Sequence, residues 1–296
     1  MKSATVLGFA LMIAALSAVT VEARQGSVHE GLSIESAVLG TPVHYTVYLP
    51  PDYGTSERFY PVVYLLHGYS DDDSGWLQFG EMNRIVDAGI ADGSLPPMVI
   101  VMPDAGVSWY INDYLGKVRW EDMFITEFMP AVESRYRIRR KREFRGISGL
   151  SMGGYGSLVL SMHHPDLFGS VAAFSAGVVT DERIETMSQS DWNHYYAHLY
   201  GGSALEGKDR LTRHWKENSI LELAHTLPTD SLKNVRFFID CGDDDFLTIG
   251  NSELHIEMTR RKIKHEFRMR DGRHSWDYWR TGLPAGLAFI GERFRR

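Results

Sequence analysis

The chain has 296 residues, of which 44% are hydrophobic and 23% charged, a composition typical of a globular protein with a sizeable core and not of a disordered chain. The formal net charge is −7 and the pI is near 5.9. Binding of a nucleic acid requires a clustered positive surface, which this charge balance does not indicate, so we expect no nucleic-acid partner. Cys241 is the only cysteine, which excludes an internal disulfide.

The first 23 residues have the pattern of a signal peptide. Lys2 precedes an uncharged run at residues 3–21, which is too short and too rich in small side chains for a membrane span. Val21 and Ala23 occupy the −3 and −1 positions of a signal-peptidase site, so we predict cleavage after Ala23. The alternative is an uncleaved anchor. We expect an exported protein, periplasmic or secreted, that has no membrane span after cleavage.

Apolar runs alternate with helical patterns along the rest of the chain. Strands are predicted at residues 33–40, 42–50, 61–68, 97–104, 144–150, 169–177, 235–242 and 265–272. Helices are predicted at residues 82–93, at 120–136, from about 151 and at 251–264. This alternation predicts a mostly parallel sheet with right-handed crossovers.

Residues 178–230 depart from that rhythm, because they are rich in polar and aromatic side chains and contain no clear strand. We interpret them as an insertion over the strand ends, a cap or lid. The expected organisation is a signal peptide at residues 1–23 and one domain at 24–296 that carries this insertion.

A glycine-flanked serine follows the strand predicted at residues 144–150. Gly149, Ser151 and Gly153 fit the pattern G-x-S-x-G, between an apolar strand and a helix-compatible run. So sharp a turn leaves no room for side chains beside the nucleophile, and the helix start offers N–H groups to an oxyanion. The pattern predicts Ser151 as the nucleophile of an α/β-hydrolase fold, with a mostly parallel central sheet, helices on both faces and a cap-like insertion.

A serine nucleophile needs a base, which follows it and the acid in the chain order of this fold. His274 lies in a turn directly after the last predicted strand, where a loop can bring its imidazole over Ser151. His265 opens that strand, and His255 is in the middle of a predicted helix. We therefore expect His274 to be the base.

Three adjacent carboxylates follow the strand at residues 235–242, and the acid is expected among them: Asp243, Asp244 and Asp245. Only one can face the imidazole, because adjacent buried like charges are costly. Asp240, inside the strand, is interpreted as structural.

The loop after residues 61–68 is expected to supply an oxyanion-hole donor, the Tyr69 N–H. His67 is interpreted as a loop-supporting residue. Trp109, Tyr110 and Trp276 are candidates for the wall of an acyl or aryl pocket, with ordinary packing as the alternative.

We expect no metal and no cofactor. His194 and His198 have the four-residue spacing of helical zinc ligands, but Tyr195 stands where the zinc-peptidase pattern requires a glutamate. The acidic run at residues 71–73 lacks the spaced loop and distal glutamate of a calcium-binding EF-hand.

Taken together, these motifs resemble the esterase D family, which includes feruloyl and acetylxylan esterases, S-formylglutathione hydrolases and antigen 85 mycolyltransferases. The matching stretches are residues 48–54, 60–76, 149–158, 164–177, 241–247 and 272–279. The resemblance implies Ser151 as nucleophile, His274 as base, Asp245 as acid, and the amides of Tyr69 and Met152 as the oxyanion hole. It also implies that no cofactor is needed.

The family resemblance leaves the substrate open. The signal peptide disfavours an S-formylglutathione hydrolase, which is typically cytosolic, and mycolyltransferases have a glutamate where Asp245 stands. The resemblance therefore implies an exported serine carboxylic-ester hydrolase that forms an acyl-serine intermediate on small or polysaccharide-linked feruloyl or acetyl esters. Two alternatives remain, an acyltransferase to a sugar hydroxyl and a non-catalytic binding module on a hydrolase fold.

Overall fold

A computed structural model describes residues 25–295, in which eight strands form one sheet in the order β1-β2-β4-β3-β5-β6-β7-β8. The strands are β1 (Ser27–Glu35), β2 (Pro42–Leu49), β3 (Val62–Leu66), β4 (Val99–Pro103), β5 (Arg145–Leu150), β6 (Ser170–Phe174), β7 (Arg236–Gly242) and β8 (His265–Arg270). β2 pairs antiparallel with β1 and β4, and the other pairings are parallel. The predicted mostly parallel sheet is confirmed.

Helices fill the connections between the strands. They are α1 (Gly75–Gln78), α2 (Met82–Ala91), α3 (Trp120–Met123), α4 (Met129–Arg135), α5 (Met152–His163), α6 (Asp181–Thr186), α7 (Gln189–Tyr195), α8 (Ala197–Tyr200), α9 (Arg213–Asn218), α10 (Ile220–Thr226), α11 (Thr229–Leu232), α12 (Thr248–Arg260) and α13 (Trp276–Phe294). A π-helical turn, Phe124–Phe128, joins α3 to α4, just before Pro130, which has no N–H to donate to the preceding turn. Short 3₁₀ turns occur at Arg142–Phe144 and Gly207–Arg210.

The sheet separates two apolar cores, one on each face. Successive side chains of a strand point to opposite faces. Tyr64 and Leu66 therefore pack in the core that includes α3, α4 and α5, and Val63 and Leu65 pack in the core that includes α1, α2 and α13. All of β3 is fully buried, which explains its continuous run of apolar residues. The expected helices on both faces are confirmed.

The first strand lies earlier in the chain than the prediction of residues 33–40. β1 ends at Glu35, and the chain then turns back into β2. The Gly40 N–H donates to the Ser36 carbonyl at 2.9 Å, and Gly40 has a φ of +72°. The apolar pattern of residues 36–40 is therefore that of a packed turn, not of a strand.

The segment interpreted as an insertion, residues 178–230, lies between β6 and β7 and contains helices α6 to α11. Trp192, Tyr200 and Trp215 bury their rings in the same core as α5. The segment is thus anchored to the helix that follows Ser151.

The predicted signal peptide, residues 1–23, lies outside the described residues. Within residues 25–295, the longest and most apolar helices still fall short of what a membrane-spanning helix requires.

Candidate active site

Ser151 occupies the tight turn between β5 and α5 and has a backbone φ of +54°. Such a conformation is uncommon for a residue with a side chain and is found mostly at functional sites. A Cβ on Gly149 would lie 2.5 Å from the Gly153 carbonyl oxygen, and a Cβ on Gly153 would lie 2.4 Å from the Leu66 carbonyl oxygen. Both glycines are required because the turn packs directly against the end of β3.

Ser151, His274 and Asp245 form a continuous hydrogen-bonded chain. Ser151 Oγ lies 2.9 Å from His274 Nε2, and His274 Nδ1 lies 2.8 Å from Asp245 Oδ2. An ionised carboxylate can only accept, so Nδ1 carries the proton and Nε2 is free to accept the proton of the Ser151 hydroxyl. In this tautomer the imidazole can act as a general base.

The Asp245 side chain is fully buried in the turn after β7. Burial by itself raises the pKa of the carboxyl group, but the hydrogen bonds to the carboxylate, chiefly that from His274, outweigh burial and lower the pKa below its ordinary value. The Leu247 N–H donates to Oδ1 at 2.9 Å. Asp245 is therefore ionised near neutral pH and can stabilise an imidazolium ion.

The two neighbouring aspartates face solvent. Asp243 and Asp244 are exposed, and their carboxylate oxygens lie within 4.8 Å of each other and of Asp271. Asp243 Oδ1 accepts the Gly272 N–H at 3.0 Å. Of the three candidate acids, the structure brings only Asp245 to the imidazole.

The polar residues set aside in the sequence lie away from this chain of contacts. His255 Nδ1 and His265 Nε2 are 2.8 Å apart and bind each other. Asp240 accepts two hydrogen bonds of 2.9 Å from the Arg270 guanidinium. These groups have partners of their own and do not contact Ser151.

Tyr69 and Met152, the residues whose amides are expected to form the oxyanion hole, both lie beside Ser151. Met152 begins α5, and Tyr69 lies in the loop after β3, where a Cβ on Gly68 would be 3.8 Å from Ser151 Cβ. In the described part of the chain, neither the Tyr69 nor the Met152 amide donates to a backbone carbonyl. His67 supports the loop, because its Nδ1 donates to the Gly68 carbonyl at 2.7 Å and its Nε2 accepts the Ala105 N–H.

A cavity of about 860 Å³ opens onto Ser151 and His274. Trp109 and Trp276 are among the aromatic residues in its wall. The segment after β6 supplies a further part of the wall, through Val178, Val179, Thr180, Arg183, Met187, Asp191, Tyr195 and Tyr196. The site is thus bounded by strand-end loops and by the region interpreted as a lid.

Tyr110 does not line this cavity, contrary to the sequence expectation. Its side chain is fully buried, its hydroxyl donates to the His67 carbonyl at 2.8 Å, and its ring packs on Trp120 at 4.8 Å between centroids. Trp109 and Tyr110 have φ values of +53° and +64°. These left-handed conformations direct adjacent rings to different surroundings, which the sequence alone does not reveal.

Other residues of the site were not singled out in the sequence. Phe246 packs on the His274 imidazole at 4.6 Å between centroids and is largely exposed. Tyr195 and Tyr196 come from the insertion. The available signals were the position of Phe246 directly after the candidate acid and the aromatic cluster at residues 192–196.

Comparisons with known proteins find esterases that match most of this chain. A family model described as "Putative esterase" matches residues 36–290. A solved structure of a ferulic acid esterase is 33% identical, with a TM-score of 0.79, and the match covers 91% of this chain and 99% of that one. An acetyl esterase of Caldicellulosiruptor saccharolyticus is 27% identical over 78% of this chain and 83% of its own length.

A protein of Xylanibacter ruminicola named endo-1,4-beta-xylanase/feruloyl esterase is 30% identical over 146 residues, or 47% of this chain. The chain spans only 20–30% of the length of the first curated relatives that it matches. The family model, in contrast, covers most of the chain. The fold, the serine turn and this coverage together show that the chain belongs to the esterase family that the model describes.

Proposed function

We propose that the protein hydrolyses carboxylic esters through an acyl-serine intermediate, with Ser151 as nucleophile, His274 as general base and Asp245 as the acid that orients His274. The observation that carries this proposal is the hydrogen-bonded chain from Ser151 Oγ through His274 to Asp245 at 2.9 and 2.8 Å. It lies at a strand-to-helix turn that opens into a cavity.

In the first half of the reaction, Ser151 Oγ attacks the ester carbonyl while its proton passes to His274 Nε2. The tetrahedral oxyanion accepts hydrogen bonds from the amides of Tyr69 and Met152. The imidazolium then gives its proton to the departing alcohol. In the second half, His274 removes a proton from water as the water oxygen attacks the acyl carbonyl. The imidazolium then returns this proton to Ser151 Oγ as the bond from Oγ to the acyl carbon breaks, which releases the acid and restores Ser151. These reaction steps need no cofactor.

For the substrate, we propose an ester that links a feruloyl or acetyl group to a carbohydrate. The aromatic lining of the cavity, which includes Tyr69, Trp109 and Tyr196, suits a planar aryl acyl group. The names of the relatives, ferulic acid esterase and acetyl esterase, support the same acyl groups. We expect measurable turnover of methyl ferulate and p-nitrophenyl acetate.

We further propose that the protein is exported, on the strength of the signal-peptide pattern at residues 1–23. The mature chain would then begin at Arg24. N-terminal sequencing of the protein recovered from its native cell decides this, and an intact Met1 on protein from the cytosol would contradict it.

The substitution Ser151→Ala tests the nucleophile. We expect turnover of p-nitrophenyl acetate to fall by about 10⁴–10⁶-fold while the melting temperature stays close to that of the wild type, because a triad acts as a unit. Ser161→Ala is the matched control, since Ser161 is buried in the same helix and its hydroxyl donates to the Leu158 carbonyl. A folded Ser151→Ala protein with more than about a tenth of the activity would refute the assignment.

Product analysis separates hydrolysis from acyl transfer. The same ester is incubated with and without a sugar acceptor, and free acid is expected as the main product in both. Predominant formation of acylated sugar would make the protein a transferase instead. Complete lack of turnover of both methyl ferulate and p-nitrophenyl acetate would favour a non-catalytic binding module.

A further inference from the structure

The wall of the cavity beside His274 carries exposed aromatic rings. The Phe246 ring packs on the His274 imidazole at 4.6 Å between centroids, with planes tilted by 48°, and 73% of Phe246 is exposed. Trp276 lines the same cavity. Phe79, which is also exposed, lies beside Trp276 at 5.8 Å between ring centroids. Apolar rings exposed together at a cavity are typical of a binding surface.

The proposed mechanism brings the alcohol part of the ester to this wall. The imidazolium of His274 protonates the departing oxygen, so that oxygen must lie within hydrogen-bond reach of Nε2, about 3 Å away. The group attached to this oxygen is therefore beside the imidazole, where the exposed Phe246 ring packs. The acyl chain is bonded to the same tetrahedral carbon and points away from the alcohol. The two parts of the ester thus contact different parts of the cavity wall.

A half-buried carboxylate adds a polar group to this wall. Asp71 lines the cavity from the loop after β3. Its side chain packs on Gly75, because a Cβ on that glycine would lie 3.1 Å from Asp71 Cβ. Gly75 directly precedes Trp76, whose ring meets the Trp276 ring edge-on at 5.3 Å between centroids. Within residues 25–295, no side chain donates a hydrogen bond to the Asp71 carboxylate, so it can accept hydrogen bonds from a ligand.

We propose that Phe246, Trp276 and Asp71 form the subsite for the alcohol part of the ester, and that this alcohol is a sugar. The inference rests on the proposed function, because it assigns the leaving group of that reaction. A sugar ring presents C–H groups on its face and hydroxyl groups around its edge. The C–H groups carry a slight positive charge and pack on the negative face of an aromatic ring. The hydroxyl groups donate hydrogen bonds that a carboxylate accepts.

The mixture of aromatic and acidic groups distinguishes a sugar from other alcohols. A methyl group makes few contacts with either kind of group. A long alkyl chain would pack on Phe246 and on Ile249, which also lines the cavity and is exposed, but it offers no donor to the Asp71 carboxylate. A polyhydroxylated ring satisfies both the apolar surface and the carboxylate, which is why we assign a sugar to this subsite.

The test uses two esters that share an acyl group and differ in the alcohol. They are methyl ferulate and the feruloyl ester of methyl arabinofuranoside, or the corresponding methyl and sugar acetates if the wild type hydrolyses only acetyl esters. The measured quantity is the alcohol ratio, defined as kcat/KM for the sugar ester divided by kcat/KM for the methyl ester. We expect the alcohol ratio of the wild type to exceed one, because only the sugar ester fills the subsite.

The variant Phe246→Ala removes the ring that packs on His274. We expect the alcohol ratio to fall about ten-fold, because the lost surface contacts the sugar and not the methyl group. Phe59→Ala is the matched control, since Phe59 is also exposed but precedes β3, outside this cavity, and it should keep the wild-type ratio. If Phe246→Ala lowers both kcat/KM values equally, Phe246 supports His274 and does not bind the alcohol.

The variant Asp71→Asn removes the charge of the carboxylate but keeps its shape. We expect the alcohol ratio to fall about five-fold, mainly through a higher KM for the sugar ester, because hydrogen bonds to a charged acceptor are weakened. Asp72→Asn is the matched control, since that neighbouring aspartate is exposed and its Oδ1 accepts the N–H and the hydroxyl of Ser74. An unchanged ratio in folded Asp71→Asn would refute the recognition of a hydroxylated alcohol.

An octyl ester of the same acid separates a sugar subsite from a general apolar one. We expect the wild type to hydrolyse the sugar ester with a higher kcat/KM than the octyl ester. If it prefers the octyl ester and Phe246→Ala removes that preference, the subsite binds alkyl alcohols and the assignment of a sugar is wrong, although the esterase proposal stands. An alcohol ratio at or below one in the active wild type refutes the subsite alone. If Ser151→Ala retains activity, the proposed function itself fails.

Discussion

The turn after β7 determines which of the three adjacent aspartate side chains contacts His274. A Cβ on Gly242 would lie 2.2 Å from the Gly272 carbonyl oxygen, so the loops after β7 and β8 touch at this glycine. Asp243, the first residue after this glycine, accepts a hydrogen bond from the Gly272 N–H, and the side chain of Asp244 is exposed to solvent. Only after three residues has the chain turned far enough for Asp245 to reach the imidazole.

We therefore predict that Asp245→Asn lowers turnover about 10⁴-fold, because an amide can hold the wrong imidazole tautomer and cannot balance the imidazolium charge. Asp244→Asn should retain most of the wild-type turnover, since that side chain is exposed. Steady-state kinetics of the two purified variants on p-nitrophenyl acetate measure the contrast. A deep loss for Asp244→Asn with near-normal Asp245→Asn would move the acid one residue earlier.

The sequence predicts some of these single-residue contacts but not others. Ser151 and His274 could be located because a glycine-flanked turn and a strand-end loop leave local patterns. Tyr110 could not be placed, since the direction of its ring depends on a left-handed backbone that ordinary residues rarely adopt. The hydrogen bond between Trp279 and Ser175 gives no local signal, because it forms only when α13 packs against the end of β6.

Between elements, a buried carboxylate ties the end of α5 to α3. Glu121 Oε1 lies 2.9 Å from both His163 Nδ1 and His164 Nε2. The other nitrogen of His163 lies 3.0 Å from the Glu217 carbonyl of α9. Both nitrogens of His163 face acceptors, so the protonated ring can donate two hydrogen bonds and join α3, α5 and α9. The C-terminal end of α5, the helix that begins beside Ser151, is thus fixed by hydrogen bonds between the Glu121 carboxylate and two histidines.

The pKa directions give this cluster a definite pH dependence. Burial raises the pKa of Glu121, but the hydrogen bonds from His163 and His164 outweigh burial and lower it from 4.5 to about 2. Burial lowers the pKa of His163, but its bond to Glu121 outweighs burial and raises it above 6.5. Stability from Glu121 is present above pH 4.5 and is lost towards pH 2. Stability from His163 is present below pH 6.5 and is lost as the pH rises through its raised pKa.

We predict that Glu121→Gln lowers the free energy of unfolding most between pH 4.5 and 6.5, by about 3 kcal/mol, with a smaller loss at alkaline pH. Thermal melts at pH 5.5 and pH 9 test this. Glu266→Gln is the control, since the Glu266 carboxylate pairs with Arg268 on the exposed surface and does not belong to this cluster. An equal loss of stability at both pH values would show that Glu121 acts by packing and not by charge.

Elements with a strong apolar pattern were the easiest to predict. The fully buried strands β3, β4 and β6 read as continuous apolar runs, and their places in the sheet follow from crossover rules. The turn after β1 was misassigned because its apolar residues pack against the core without joining the ladder. The helices of the insertion were not predicted, since they are short and their faces are defined only by packing against α5.

At the scale of the whole molecule, two parts of the fold enclose the cavity: the sheet with its flanking helices, and the insertion after β6. The sheet and its flanking helices supply Ser151 and His274, whereas residues 178–196 close the other side. Tyr195 comes from this second half, and its ring lies 5.0 Å from the ring of Tyr69 on the oxyanion-hole loop. The proposed reacting groups therefore lie on the sheet and its flanking loops, and we expect the insertion to hold part of the acyl group.

This division predicts that Tyr195→Ala discriminates between acyl groups. Under the proposed function, an acetyl group would end close to Ser151, whereas a feruloyl group is long enough to extend towards the aromatic rings that the insertion contributes to the cavity wall. The loss of one aromatic contact should lower kcat/KM for methyl ferulate about ten-fold and change that for p-nitrophenyl acetate by less than about two-fold. Phe59→Ala is the control, because the Phe59 ring is 59% exposed and precedes β3 at the opposite end of the sheet. Equal losses on both esters would show that Tyr195 supports the oxyanion-hole loop and does not select the acyl group.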